Sequence, residues 1–197
     1  MSESGKGNTL FPVFFRLDKL RTLVVGAGAV GLEKMTALLS NSPEAEITIV
    51  APEIRNEIEE LASKYPLVKL IKKKFEASDL EGMDLVVSAT NITELNKQVW
   101  KEAKSRKILC NIADTPDLCD FYLGSIVKKG DLKIAISTNG KSPTFAKRMR
   151  EMLEEVLPDN INSVLENLNK IREKLKGDFE YKVNKLNEIT EVMKKKP

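Results

Sequence analysis

A strand that runs directly into three spaced glycines and then into a helix is the feature that most restricts this chain. Residues 21–25, Arg-Thr-Leu-Val-Val, have the β-branched, apolar character of a buried strand, and Gly26-Ala-Gly28-Ala-Val-Gly31 follows at once. Beyond the glycines, Val30, Lys34, Met35, Leu38 and Leu39 recur at helical spacing on inner and flanking faces, up to a break near Ser-Asn-Ser-Pro, residues 40–43. Each glycine of such a loop has its own use. Gly26 permits a tight turn, Gly28 lets the backbone approach a pyrophosphate, and Gly31 allows helix and strand to pack closely, while the first helical amides offer donors to phosphate. The spacing predicts a dinucleotide site; the competing reading is a glycine turn with a purely structural use.

Strand and helix patterns alternate onward from the loop. Residues 46–50 read as a second strand, 55–65 as a helix, 68–75 as an outer strand of alternating character, and 83–90 as an apolar strand buried on both faces. An amphipathic helix over 92–107 and a strand over 108–114 complete the series. This order predicts an α/β, Rossmann-type doubly wound parallel sheet. Upstream, Leu10 to Leu17 reads as an apolar edge piece and Asp18 to Leu20 as a turn. Downstream the pattern changes: residues 121–138 read as two strands around the Lys-Lys-Gly-Asp turn at 128–131. Ser142 with Pro143 signals a helix start, and Pro158 ends that helix. The tail, 159–193, carries one apolar stripe of Ile161, Val164, Leu165, Leu168, Ile171 and Leu175, which must pack on something.

Composition narrows the chemistry. With 197 residues, 42% of them hydrophobic, the chain can bury one full core and carry a smaller appendage. Its 32 basic and 29 acidic residues leave a net charge of only +3, so no nucleic-acid partner is expected. No apolar run approaches the roughly 20 residues of a membrane span, and the first ten residues lack a secretory-type apolar stretch; a cytoplasmic protein without a membrane partner is expected. Cys110 and Cys119 form no C-x-x-C pair and read as reduced core thiols. The absence of histidine removes Ser-His-Asp and Cys-His arrangements and the usual zinc sites, so a general base must be a carboxylate, lysine, tyrosine or cysteine.

Three carboxyl-edge positions follow from the predicted sheet. Glu53, past the second strand, stands where a ribose-binding acid is expected about 20 residues beyond the loop, or it merely opens the next helix. Arg55 would tolerate a 2'-phosphate, but an acid at 53 favours NAD. Ser88 to Asn91 should face a cofactor, and Thr90 or Asn91 could equally cap a helix. Asp114 is the carboxylate best placed for proton chemistry, with turn formation before Thr-Pro as its other use.

The joint pattern is more specific than the glycine loop. It comprises an apolar-Pro-apolar opening at 10–15, the loop followed by Lys34, Val50-Ala51-Pro52, Ala89-Thr90-Asn91, Asn111-Ile-Ala-Asp114-Thr-Pro116, and Ala135-Ile-Ser-Thr-Asn-Gly-Lys-Ser142-Pro143 with Ala146 and Arg150. Together these resemble precorrin-2 dehydrogenase, the siroheme synthase N-terminal module, over roughly residues 9–158. The resemblance implies NAD-dependent oxidation of precorrin-2, a tetrapyrrole, to sirohydrochlorin in siroheme biosynthesis, and some members also insert ferrous iron. It implies a homodimer, with a Rossmann domain over 1–114, a dimerisation and substrate region over 115–150 and a helical domain over 151–197. Carried over by residue, the essential aspartate is Asp114, and cofactor contacts fall on Gly26, Gly28, Ala29, Val30, Gly31, Pro52, Glu53 and Thr90. The substrate-side loop is Ser137, Thr138, Asn139, Gly140, Lys141 and Ser142, with Asn139 standing where glycine is common. No resident metal is implied; iron would be a substrate. Lys141, Lys147, Arg148 and Arg150 suit a polycarboxylate, although a solvated helix face is the favoured reading for Lys147 and Arg150. The rival functions are a non-catalytic NAD/NADH-sensing module and an unrelated small-molecule reductase.

Overall fold

Apolar side chains on both sides of a strand demand cover on both sides, and the first half of the chain supplies it. In the computed structural model, which describes residues 7–191, the chain divides into two units, Met1–Leu123 and Gly124–Pro197. Residues 1–6 and 192–197, which fall in the expected leader, first domain and tail, lie outside the described residues.

The first unit contains β1 (Arg21–Val25), α1 (Ala29–Asn41), β2 (Glu46–Ala51), α2 (Asn56–Ala62), β3 (Val68–Lys72), β4 (Leu85–Ser88), α3 (Thr93–Ser105) and β5 (Leu109–Ile112). The strands form one parallel sheet in the order β3-β2-β1-β4-β5, the doubly wound order expected. Thr22 to Val25 and all of β4 are buried, and alternate residues sort to opposite faces. Val24, Ile47, Ile49 and Val87 pack with Met35, Leu38 and Leu39 of α1 and Ile58 of α2. Leu23, Val25, Val50 and Val86 pack with Val99 and Ala103 of α3. Helix α1 buries Gly31, Met35, Leu38 and Leu39, the i, i+4, i+7, i+8 set that its spacing promised. At the exposed edge, β3 turns Lys69 and Lys72 outward toward Glu46 and Glu59, at 3.8 and 2.7 Å, charges that discourage pairing with another chain.

The opening segment differs from its expectation. Residues 7–16, which include most of the expected apolar edge piece, form no strand, and Phe11 and Phe14 stand in solvent. Phe15 packs edge-on against Phe121, centroids 5.9 Å apart, and a 3-10 turn at Leu17–Lys19 leads into β1.

The second unit opens with an antiparallel hairpin of β6 (Ser125–Lys129) and β7 (Leu132–Ile136), whose turn uses Gly130 at φ +56°. Helix α4 (Pro143–Val156) begins as expected: the Ser142 hydroxyl accepts from the Phe145 amide at 3.1 Å, and Pro143 fills the first helical position. The expected tail stripe, Ile161 to Leu175, lies on α5 (Ile161–Lys174) and its C-cap, and a further helix, α6 (Phe179–Thr190), follows. The break has a local cause. Gly177 takes φ +133°, and the Asp178 carboxylate caps α6 by accepting from the Tyr181 amide at 2.8 Å. Among the described residues no helix is long and apolar enough to cross a membrane.

Candidate functional site

The carboxyl ends of four strands are tied side by side. The Gly26 amide donates to the Val50 carbonyl at 2.9 Å, the Ala89 amide to Val25 at 2.7 Å, and the Ala113 amide to Ser88 at 2.9 Å. Gly26, Ala89 with Thr90, and Ala113 with Asp114 therefore leave β1, β4 and β5 along one edge. Adjacent strands lie about 4.8 Å apart, which puts the ends of β1 and β5 about 10 Å apart.

The three glycines prove to have different constraints. Gly26 sits at φ +103°, and a Cβ there would lie 2.6 Å from the Ala89 carbonyl oxygen and 3.0 Å from the Thr90 methyl. A Cβ on Gly31 would lie 2.3 Å from the Gly26 carbonyl oxygen. Both glycines are thus required by the chain's own packing. Gly28 is exposed, extended at φ −87° and ψ −158°, and a Cβ there would meet nothing within 4 Å. Nothing in the fold requires glycine at 28, and the space beside it is open.

That space faces unspent donors. Helix α1 has no side-chain cap, and its first backbone bond runs from the Leu32 amide to the Gly28 carbonyl at 3.0 Å. The amides of Ala29, Val30 and Gly31 have no partner among the described residues, and the helix dipole adds partial positive charge there. An uncapped N-terminus beside a cleared position fits a dinucleotide pyrophosphate.

Pro52 and Glu53 are exposed just beyond β2, and the Arg55 amide ties this segment to the glycine loop through the Ala27 carbonyl at 3.3 Å. Glu53 does not open the next helix: α2 starts at Asn56 and takes Glu57 and Glu59 as its first-turn acids. The Arg55 guanidinium meets Glu57 at 2.5 Å.

Neither Thr90 nor Asn91 caps α3, whose N-cap is Ile92 without a side-chain bond. Thr90 instead bends the chain ahead of it, its hydroxyl accepting from the Ile92 amide at 3.2 Å. The same hydroxyl donates to Oδ1 of Asn96 at 2.7 Å, as does the Ser88 hydroxyl at 2.7 Å, and Nδ2 of Asn96 donates back to the Thr90 carbonyl at 3.0 Å.

Asp114 is exposed, has no hydrogen-bond or ion-pair partner among the described residues, and occupies the left-handed region at φ +58°. An aspartate tolerates this conformation, but the surroundings must impose it. They do so by clasping the returning chain. The Cys110 amide donates to Oδ2 of Asp120 at 3.0 Å, the Asp120 amide to the Cys110 carbonyl at 2.8 Å, and Nδ2 of Asn111 to the Phe121 carbonyl at 2.8 Å. The Ile112 amide donates to Sγ of Cys119 at 3.2 Å, and Lys104 pairs with Asp120. Burial, more than the neighbouring Asp120, pushes the Cys110 thiol up to about 12, and burial raises that of Cys119 as well. Both sulfurs hold the loop and neither is a ready nucleophile.

In the second unit, Ser137 to Ser142 make a tight turn. The Lys141 amide donates to the Thr138 carbonyl at 3.1 Å, with Asn139 at φ +54° and Gly140 at φ +74°, the signature of a type I' turn. Asn139 thus takes a glycine-like conformation that asparagine tolerates. The Thr138 hydroxyl accepts from the Ser142 amide at 3.2 Å, and Ser137 Oγ accepts from Asn139 at 3.2 Å. Lys141 is exposed and has no carboxylate partner among the described residues. Lys147 and Arg148 face Glu151, at 3.9 and 2.7 Å, and Arg150 faces Glu154 at 3.4 Å. Among the described residues no three of Cys, Asp and Glu gather as a metal-holding set.

Sequence reasoning passed over Asn96 and Asp120. Asn96 could have been noticed as a polar residue sharing the inward face of α3 with Val99 and Ala103. Asp120 carried no comparable mark.

The chain is similar to known proteins in sequence and in fold. Residues 13–125 match the family model described as "Putative NAD(P)-binding", and residues 129–155 match "Sirohaem biosynthesis protein central". The siroheme synthase of Pseudoalteromonas translucida is 38% identical over 170 residues, covering 86% of this chain and 35% of that protein. The siroheme synthase of Ruthia magnifica is 36% identical over 168 residues, covering 85% and 35%. The chain therefore spans about a third of the length of these curated relatives. A solved structure of "SirC, precorrin-2 dehydrogenase" superposes with a TM-score of 0.71 and 29% identity, covering 91% of this chain and 89% of that one.

Proposed function

Because this chain belongs to the NAD(P)-binding family whose model spans residues 13–125, we propose that it is an NAD-dependent dehydrogenase that oxidises precorrin-2 to sirohydrochlorin in siroheme biosynthesis. The observation that carries the reading is the cleared Gly28 position under an uncapped helix, on the same sheet edge as the left-handed Asp114. The likeness to siroheme synthases and to a precorrin-2 dehydrogenase supplies the substrate.

In this reading Gly26, Gly28, Ala29, Val30 and Gly31 receive the pyrophosphate, and Pro52 and Glu53 the ribose. Arg55, already engaged with Glu57, leaves the ribose side acidic, in favour of NAD over NADP. Thr90 borders the reactive end of the cofactor. When bound, NAD supplies the hydride acceptor, so the chain's own work is positioning and proton handling. The substrate surrenders a hydride and Asp114 takes a proton from it. The turn formed by Ser137, Thr138, Asn139, Gly140, Lys141 and Ser142 is closed by its own hydrogen bonds and presents one cation, Lys141, to the substrate's carboxylates.

Residues 1–114 serve the cofactor, 115–150 the substrate and dimerisation, and 151–197 form the helical part of a cytoplasmic homodimer. The free thiols of Cys110 and Cys119 accord with a reducing compartment.

The test is anaerobic NADH production from precorrin-2 and NAD, with and without ferrous iron as a second substrate. Asp114→Asn is expected to abolish it while leaving NAD affinity and thermal stability unchanged, because asparagine also accepts the left-handed backbone. Normal turnover by that variant removes Asp114 from the chemistry. NAD binding without turnover by the wild type favours a sensing module, and a monomer in light scattering refutes the dimer.

A further inference from the structure

Buried polar side chains need partners, and among the described residues four polar side chains are buried: Thr22, Ser88, Asn96 and Asn111. Asn96 is distinctive in what it engages. Its three side-chain hydrogen bonds go to the end of β4 and the turn that follows: it accepts from the hydroxyls of Ser88 and Thr90, each at 2.7 Å, and donates to the Thr90 carbonyl at 3.0 Å. The Thr90 carbonyl can only accept, so it fixes the amide with Nδ2 toward itself and Oδ1 toward the two hydroxyls.

The consequence falls on Thr90. Its hydroxyl is spent inward on Asn96 and on the Ile92 amide at 3.2 Å, and its methyl is the group that crowds Gly26, 3.0 Å from where a Cβ would stand. We infer that Asn96 is a positioning residue for the cofactor, which locks the turn after β4 so that Thr90 presents backbone and methyl, not hydroxyl, to the dinucleotide. The inference rests on the NAD-binding reading above and deepens it. Two residues outside any glycine motif thereby set the wall opposite the phosphate loop, and the affinity for NAD depends on a side chain that never touches it.

The experiment measures NAD affinity of the full-length chain by calorimetry, which needs no tetrapyrrole. Asn96→Ala is expected to weaken NAD binding about tenfold, equivalent to about 1.4 kcal/mol, at a temperature where the variant is folded. Thr90→Val keeps the methyl and removes the hydroxyl, so it should weaken binding similarly, and the double variant should lose no more than the worse single one. Thr90→Ser, which keeps the hydroxyl bonds, should retain the lock and lose only methyl contact. Val99→Ala, on the same buried face of α3, is the control: it lowers the unfolding temperature and leaves NAD affinity intact. Unchanged affinity in Asn96→Ala, additive losses in the double variant, or an equal loss in Val99→Ala each overturns the inference. Failure of the wild type to bind NAD would instead overturn the reading beneath it.

Discussion

Replacing Gly28 with alanine separates space kept for a ligand from space required by folding. The backbone at φ −87° and ψ −158° is extended and open to any residue, and the new Cβ meets nothing within 4 Å. Alanine is a poorer N-cap than glycine by about 0.5–1 kcal/mol, and the stiffer unfolded chain returns about 0.4–1 kcal/mol. These offset one another, so the unfolding temperature should move by less than about 4 °C. Affinity should behave otherwise. A methyl group between the α1 amides and a pyrophosphate costs at least one charge-assisted hydrogen bond, about 1.5–3 kcal/mol, or a roughly 10- to 150-fold rise in Kd for NAD. Gly31→Ala is the opposite case. Its Cβ would stand 2.3 Å from the Gly26 carbonyl oxygen, so helix and loop must part. Overpacking of this kind costs about 1–3 kcal/mol, lowering the unfolding temperature by about 2–12 °C. Calorimetric titration with NAD and thermal unfolding by circular dichroism read the two quantities separately. A Gly28→Ala protein that binds NAD as tightly as the wild type, or that unfolds as early as Gly31→Ala, would refute the reasoning.

Two further expectations concern the loops around Asn139 and Asp120. Asn139→Ala should destabilise the second unit by about 1–2 kcal/mol in urea unfolding, because alanine at φ +54° lacks asparagine's tolerance of that region, whereas Asn139→Gly should be close to neutral. Burial pushes the Asp120 carboxyl up, but hydrogen bonds from Lys104, the Cys110 amide and the Cys110 thiol together hold it below its ordinary value. A carboxyl lowered on folding adds stability above its unfolded value of about 3.9, and that stability disappears as pH falls through the folded value. The stability gap between wild type and Asp120→Asn, measured by urea unfolding, should therefore be largest at neutral pH and shrink below about pH 4; a gap constant with pH would refute the ionised clasp.

The sheet was legible because β1, β2 and β4 announce themselves twice, by apolar content and by the helix that follows each. The order β3-β2-β1-β4-β5 follows from that alternation once the glycine loop marks the first crossover. In the tail the apolar stripe was legible and falls on α5, while the start of α6, signalled by Gly177 and Asp178, went unmarked. Asp114 could be named from its place at a strand end, but its left-handed backbone could not, since that conformation is imposed by Cys110, Asn111, Cys119 and Asp120 through bonds between residues up to ten apart. Asn96 escaped notice for a related reason. A single amide on a helix looks like surface until the packing shows that its face is buried.

The contact between Phe15 and Phe121 has a practical side. Phe121 also gives its carbonyl to Asn111, three positions ahead of Asp114, so the amino-terminal segment and the Asp114 loop share one aromatic anchor. A purification handle fused close to Phe15, or a clone begun downstream of it, would loosen that anchor from a distance without altering Asp114 itself.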